Sequence, residues 1–177
     1  IPFFILAGNL MNNGGITVRI FDFAKALMGW MRGGLGHVNV GASIVFSGMS
    51  GAAVADAGGL GTIEIKAMKD AGYDEEFSVG ITAASSTIGP IIPLSLPMVI
   101  YGVMASVSVG QLFVAGLVPG LLMGLVLMAM ITIISRRRGY TRDAVFSFPV
   151  LGHTFKRAFL SLLTPVIIVG GIMSGAF

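Results

Sequence analysis

The 177-residue chain has no cysteine, so disulfides, thiolate metal sites and cysteine nucleophiles are excluded. Charge is scarce as well. Only 11% of residues are Asp, Glu, Lys or Arg, against roughly 25% in a typical soluble domain. There are two histidines and a single tryptophan. No His-Glu-x-x-His pair, Ser-His-Asp set or phosphate-binding glycine loop is present, which argues against a hydrolase or a nucleotide enzyme. What remains is apolar: 55% hydrophobic residues and a mean hydropathy of +0.92. This is the composition of an all-α polytopic membrane protein. The net charge of +3 calls for no nucleic acid, because the basic residues cluster beside apolar runs. An apolar run is already under way at Ile1 and another is unfinished at Phe177, so the chain reads as an internal piece of a larger protein.

Two breaks in the apolar sequence carry the information. The first, Phe46-Ser-Gly-Met-Ser-Gly-Ala-Ala-Val-Ala-Asp56, is rich in glycine and serine and ends in a lone carboxylate. The second, Gly89-Pro-Ile-Ile-Pro-Leu-Ser-Leu-Pro97, places three prolines in a segment that would otherwise be one long helix. Non-helical backbone at membrane depth is tolerated only where protein or a water-filled cavity satisfies its polar groups.

The pattern around these breaks gives an organisation. Residues 1–15 read as the end of a spanning helix, and 16–32 as an amphipathic helix along the membrane interface, with Trp30 at headgroup depth. Residues 33–47 and 52–68 are each too short to cross, since a span takes about 20 residues. Joined by a tip at Ser47–Gly51, they read as a re-entrant hairpin within a unit spanning 33–76. Residues 77–108 read as two half-helices around the proline connector. A conventional span over 109–138 carries Gly116, Gly120 and Gly124 at four-residue spacing, a face for close packing. A loop over 139–156 and the start of another span over 157–177 follow. Arg136, Arg137, Arg138 and Arg142 mark a cytoplasmic end. The hairpin base at 66–76 and the basic residues of 16–32 then lie on that side too.

Both breaks put free carbonyls, amides and hydroxyls at mid-membrane. Ser47, Ser50, Ser95 and the carbonyls near Gly89 offer oxygen to a hard cation such as sodium, and half-helix N-termini suit an anionic group. Gly48 and Gly51 permit turns with positive φ. Ser50 has a second reading as the cap of the following helix, and Asp56 as a hydrogen-bond hub for the tip. His37 reads as a packed histidine rather than a proton carrier.

IPFFILAGNLM, FSGMSGAAVAD, AMKDAGYDEEF and TIGPIIPLSLPMVIYG, in this order and spacing, resemble the large membrane subunit of tripartite ATP-independent periplasmic (TRAP) transporters. The resemblance implies an elevator-type carrier of two inverted repeats, each with a re-entrant hairpin and a broken clasp helix. This chain would hold the first repeat and the start of the second, with 16–32 as an arm. It further implies sodium-coupled import of an organic acid (a C4-dicarboxylate, sialic acid or other sugar acid) across the bacterial inner membrane. No cofactor is implied beyond Na+. The partners implied are a small membrane (Q) subunit, a periplasmic binding protein and the lipid bilayer. Its cation ligands map onto Ser50, the backbone at Ala52, and carbonyls at Gly89, Ile92 and Leu94. Around them Ser47, Gly48, Gly51, Asp56, Pro90, Pro93 and Ser95 would organise the tip or meet substrate. Ala52 stands where many members have serine, and Leu94 where many have proline. The alternative readings are a dicarboxylate or citrate elevator symporter working without a binding protein, an ion channel, and an intramembrane enzyme.

Overall fold

The computed structural model describes residues 14–174, and every regular element among them is helical. The helix end expected over residues 1–15 lies almost wholly outside the described residues. The elements are α1 (Ile16–Met28), α2 (Gly34–Ser50), α3 (Ala53–Gly58), α4 (Leu60–Asp70), α5 (Glu75–Ser86), α6 (Leu96–Met104), α7 (Val109–Arg138) and α8 (Phe148–Ser174).

Helix α2 is the centre. It packs against α1, α3, α4, α5, α7 and α8, and thirteen of its seventeen residues are buried. Leu35, Val38, Val40, Ala42 and Phe46 form its apolar contribution to the core, joined by Ile20 and Phe21 of α1 and Leu60 and Met68 of α4. At about 1.5 Å per residue α2 is about 25 Å long, short of the roughly 30 Å of a bilayer core. Helices α3 and α4 return alongside it, so the segment is a helical hairpin.

The tip differs from the expected Ser47–Gly51 break. Ser47 to Ser50 form the last turn of α2, and the turn is confined to Gly51 and Ala52. Glycine at 51 adopts φ +60° and donates its N–H to the Ser47 carbonyl, a left-handed helix stop that needs no wider gap. A further kink falls on the return arm at Gly59, where α3 gives way to α4.

The clasp segment divides as its prolines require. Helix α5 ends at Ser86, an irregular connector runs through Gly89–Ser95, and α6 starts with Ser95 as N-cap, its Oγ accepting from the Met98 N–H at 3.2 Å. The connector lies on α7, whose glycine face is used throughout. A Cβ on Gly116 would stand 2.2 Å from the Ile91 carbonyl oxygen, one on Gly120 2.6 Å from Ile92, and one on Gly124 2.7 Å from Ile44 of α2. Helix α7 is the one described helix long and apolar enough to cross a membrane. Its Ile133, Leu125, Leu122 and Val118 side chains are exposed.

The segment expected as a loop over 139–156 is helical from Phe148 onward. Pro149 sits in the first turn, where its missing N–H costs nothing, and the Ser147 carbonyl accepts from Leu151 N–H. What remains, Gly139–Ser147, is a strap that ties three elements together. Asp143 and Ala144 both donate to the Gly29 carbonyl, and Gly33 donates to Thr141. The Asp143 carboxylate accepts from the Leu35 N–H at 2.9 Å and the Tyr73 hydroxyl at 2.6 Å. Burial, with the Asp143 carboxylate beside it, raises the Tyr73 pKa, so the phenol stays a donor.

Beside it Asp74 accepts from the Tyr140 hydroxyl at 2.6 Å and pairs with Arg138. The hairpin base and the arginine end of α7 therefore lie at the same end of the molecule.

Two outcomes follow from these contacts. Gly116→Val should lower stability by about 1–3 kcal/mol in detergent denaturation, while Gly152→Ala, which meets nothing within 4 Å, should leave it unchanged. Asp74 is held below the usual carboxylate range, first by the Tyr140 hydroxyl and then by Arg138. Its contribution is therefore present above pH 3.8 and is lost as the pH falls through its lowered folded value. Thermal unfolding of the parent and Asp74→Asn should differ at neutral pH and converge as the pH falls below that lowered folded value.

Candidate functional site

The two breaks meet. The Gly51 carbonyl accepts from the Leu96 N–H at 3.2 Å, joining the hairpin tip to the first residue of α6. A Cβ on Gly51 would stand 2.0 Å from the Leu94 carbonyl oxygen, so only glycine permits that approach. Leu94 itself has φ +76°, a left-handed conformation rare for a branched side chain. Across the seam, Gly89 abuts the backbone of Ala52 and Ala53, 3.4 Å from the position of its own missing Cβ. Gly51, Ala52, Gly89 and Leu94 are thus gathered at one place, with Ile92 turned into α7 and Pro93 buried beside it.

The serines separate into two groups. Ser95 is committed to the clasp: its Oγ donates to the Pro90 carbonyl at 2.6 Å while capping α6. Ser47 and Ser50 are different, because their enclosed hydroxyls have no hydrogen-bond partner among the described residues. Ser50 does not cap α3, whose N-cap is Ala52 without a side-chain bond. Gly48 is buried in the last turn of α2.

Behind the tip lies a polar layer that the sequence reading passes over. Asn39, Ser43 and Ser47 fall at four-residue spacing on α2, one face of an otherwise apolar helix. Asn39 donates to Thr82 Oγ1 at 2.7 Å and accepts from Ser85 Oγ at 2.6 Å, and Ser43 donates to Ser85 at 3.2 Å. Ser86 and Thr82 return their hydroxyls to carbonyls of their own helix, Thr82 O and Ser78 O. All six side chains, Asn39, Ser43, Ser47, Thr82, Ser85 and Ser86, are buried. The i, i+4 polar spacing was the available signal.

Asp56, which the sequence presents as a lone acid, has a companion. Asp56 and Glu64 are each 1% exposed, and none of their four oxygens has a hydrogen bond among the described residues. Ser43 and Ser86 flank the Asp56 carboxylate without well-aligned bonds, and Glu64 lies within electrostatic reach of it. Two buried, unpartnered carboxyl groups within electrostatic reach of one another are costly as bare anions. His37 is packed, with Nδ1 3.1 Å from the Gly33 carbonyl and Nε2 3.0 Å from Thr132 Oγ1.

Broken apolar helices gathered around buried, unpaired oxygens fit the class of membrane permeases. The chain belongs to the family of the DctM component of tripartite ATP-independent periplasmic transporters, whose model matches residues 1–177. It is similar over its whole length to the sialic acid TRAP transporter permease protein SiaT of Haemophilus influenzae, at 58% identity over 29% of that protein. It is 57% identical to the sialic acid large permease SiaM of Vibrio cholerae and 42% identical to the C4-dicarboxylate large permease DctM of Pseudomonas aeruginosa, covering all of this chain and 42% of each. The chain thus spans well under half the length of these relatives. The family is one of transporters, not of enzymes.

The polar layer makes a quantitative expectation. Asn39→Ala should destabilise by about 1–3 kcal/mol, because Thr82 and Ser85 lose a buried partner. In a double-mutant cycle with Ser85→Ala, the double variant's loss should fall short of the sum of the two single losses.

Proposed function

We propose that this chain is the first repeat of the large subunit of a sodium-coupled importer of a sialic acid or closely related sugar acid. The observation that carries this reading is the seam between tip and clasp. There the backbones of Gly51, Ala52, Gly89 and Leu94 come together beside the unpartnered hydroxyls of Ser47 and Ser50. A desolvated hard cation needs oxygen ligands, and neither the tip over 46–56 nor the clasp over 89–97 carries a basic residue. In this reading Ser50, Ala52, Gly89, Ile92 and Leu94 supply cation ligands, the last four through their carbonyls. Ser47, Gly48, Gly51, Asp56, Pro90, Pro93 and Ser95 shape the tip and clasp.

The hairpin α2–α4 enters from the cytoplasm and turns back, since α2 is too short to cross. The arginine end of α7 and the strap lie on the cytoplasmic side of the inner membrane, and α1 is the arm that links the moving unit to its scaffold in an elevator cycle. A small membrane subunit and a periplasmic binding protein complete the system. The step in identity from 57–58% for two sialic acid permeases to 42% for a C4-dicarboxylate permease favours the sugar acid as cargo.

The test is uptake of labelled sialic acid into proteoliposomes holding the full-length permease with its small subunit and binding protein. Uptake should vanish when choline replaces sodium, and excess succinate should not compete. Ser50→Ala should raise the half-saturating sodium concentration about 10-fold, the loss of one oxygen ligand. Unchanged sodium dependence in that variant would place the ion elsewhere, and uptake in choline would end the coupling proposal.

A further inference from the structure

Where the strap meets α1, two arginines face each other without an acid. Arg32 and Arg142 form an isolated antiparallel bridge, so their side chains leave the same face of the paired backbone. Like charges directly opposite one another are destabilising unless something lies between them. Among the described residues the ion pairs are Lys69–Glu75 and Arg138–Asp74, and neither arginine takes part in them. Asp143, next in sequence, is spoken for, because its carboxylate is turned inward onto Leu35 N–H and Tyr73.

Two cavities lie close by. One of about 470 Å³ is bordered by Arg142 of this pair, with Trp30, Phe146 and the strap residues Asp143, Ala144 and Val145. The other, about 370 Å³, lies between α1 and α8 and is walled by Phe23, Leu27, Phe148 and Phe155. An aromatic row joins them. Trp30 meets Phe146 edge-on at 6.2 Å, and Phe146 meets Phe148 at 4.9 Å. The Trp30 indole N–H is already donated to the Leu27 carbonyl, so the ring presents only apolar surface to a ligand. A chamber edged by an arginine, with the Asp143 carboxylate turned away from it, and a greasy slot across the Phe146–Phe148 contact suit a molecule with an anionic head and a hydrocarbon tail.

We propose that this is a site for one anionic glycerophospholipid, its phosphate between Arg32 and Arg142 and an acyl chain in the Phe23–Phe155 slot. Tryptophan at the headgroup level and arginines at the end of an apolar span put the site at the depth where such a lipid lies. The lipid would bridge the arm helix α1, the strap and the start of α8. It is separate from the tip–clasp seam, and a phosphate anion alone would satisfy only its cationic half.

Native mass spectrometry of the full-length permease with its small subunit, released from phosphatidylcholine nanodiscs containing phosphatidylglycerol, tests this. One phosphatidylglycerol should be retained per permease. Its apparent affinity should fall about five-fold for each of Arg32→Gln and Arg142→Gln, the scale of one basic residue beside an anionic headgroup. Leu27→Trp, which fills the slot from another element, should lower retention with both arginines present. Inorganic phosphate in excess should not displace the lipid. Displacement by phosphate would make this a free-anion site. Loss from Arg137→Gln as large as from Arg142→Gln would reduce the effect to general surface charge. No retained lipid in the parent would mean that the rest of the chain covers the groove. Each of these three results overturns the proposal.

Discussion

The fold depends on how it satisfies backbone that no helix can satisfy. At Gly51–Ala52 and again at Gly89–Ser95 the chain leaves helical geometry inside an apolar bundle, where an unpaired amide or carbonyl costs several kcal/mol. The two breaks answer each other: the Leu96 N–H goes to the Gly51 carbonyl, Ser95 to Pro90, and Gly51 N–H to Ser47. Glycine at 51 and 89 lets the two backbones come close enough for this, and the glycine face of α7 supplies the floor on which the connector rests. Removing either break would leave the other without its partner. The seam is thus the structural solution, and beside it the Ser47 and Ser50 hydroxyls are left without partners among the described residues.

The polar layer behind the seam follows from the same constraint one helix turn deeper. Asn39, Thr82 and Ser85 saturate one another, which locks the hairpin arm α2 to the clasp helix α5 in a single register. Asp56 and Glu64 sit beside that layer but are not saturated by it. A network that is complete at its centre and deficient at its acidic edge is an economical way to combine rigidity with a binding requirement. The neutral amide and hydroxyls hold geometry, and the carboxyl groups are left without partners among the described residues.

Much of this is legible in the sequence, and the reasons differ by element. Proline at 90, 93 and 97 forces the clasp break wherever the segment lies, and Gly116, Gly120 and Gly124 announce a close-packed face because their spacing matches the helix period. The tip was legible in place but not in extent. Ser-Gly-Met-Ser reads as a loop by composition, yet a helix with tertiary contacts on every side tolerates those residues up to a good C-cap. Glu64 was hidden because its relation to Asp56 crosses the kink at Gly59, so no simple helical count brings the two together. The strap was hidden for another reason. Its bonds reach from Asp143 to Gly29, Leu35 and Tyr73, over 70 to 114 residues, and no local pattern encodes them. The start of α8 had its signal in Ser147 and Pro149, outweighed in the reading by the polar Gly152-His153-Thr154 that follows.

The hairpin is fastened unequally at its two ends. Its base is held by Leu35 and Tyr73 on Asp143, by Gly33 on Thr141, and by Asp74 against both Tyr140 and Arg138, a set that mixes backbone, phenol and ion-pair contacts. Its tip is held by one backbone hydrogen bond and by close packing of glycine against a carbonyl. A ligand adds the most to an equilibrium where the protein's own contacts are fewest, because its differential affinity is then large relative to what it must reorganise. Oxygens offered to a cation at the base would be lost among existing bonds. At the tip the same oxygens would decide whether hairpin and clasp stay together. The asymmetry leaves the seam as the more lightly fastened end of the hairpin among the described residues.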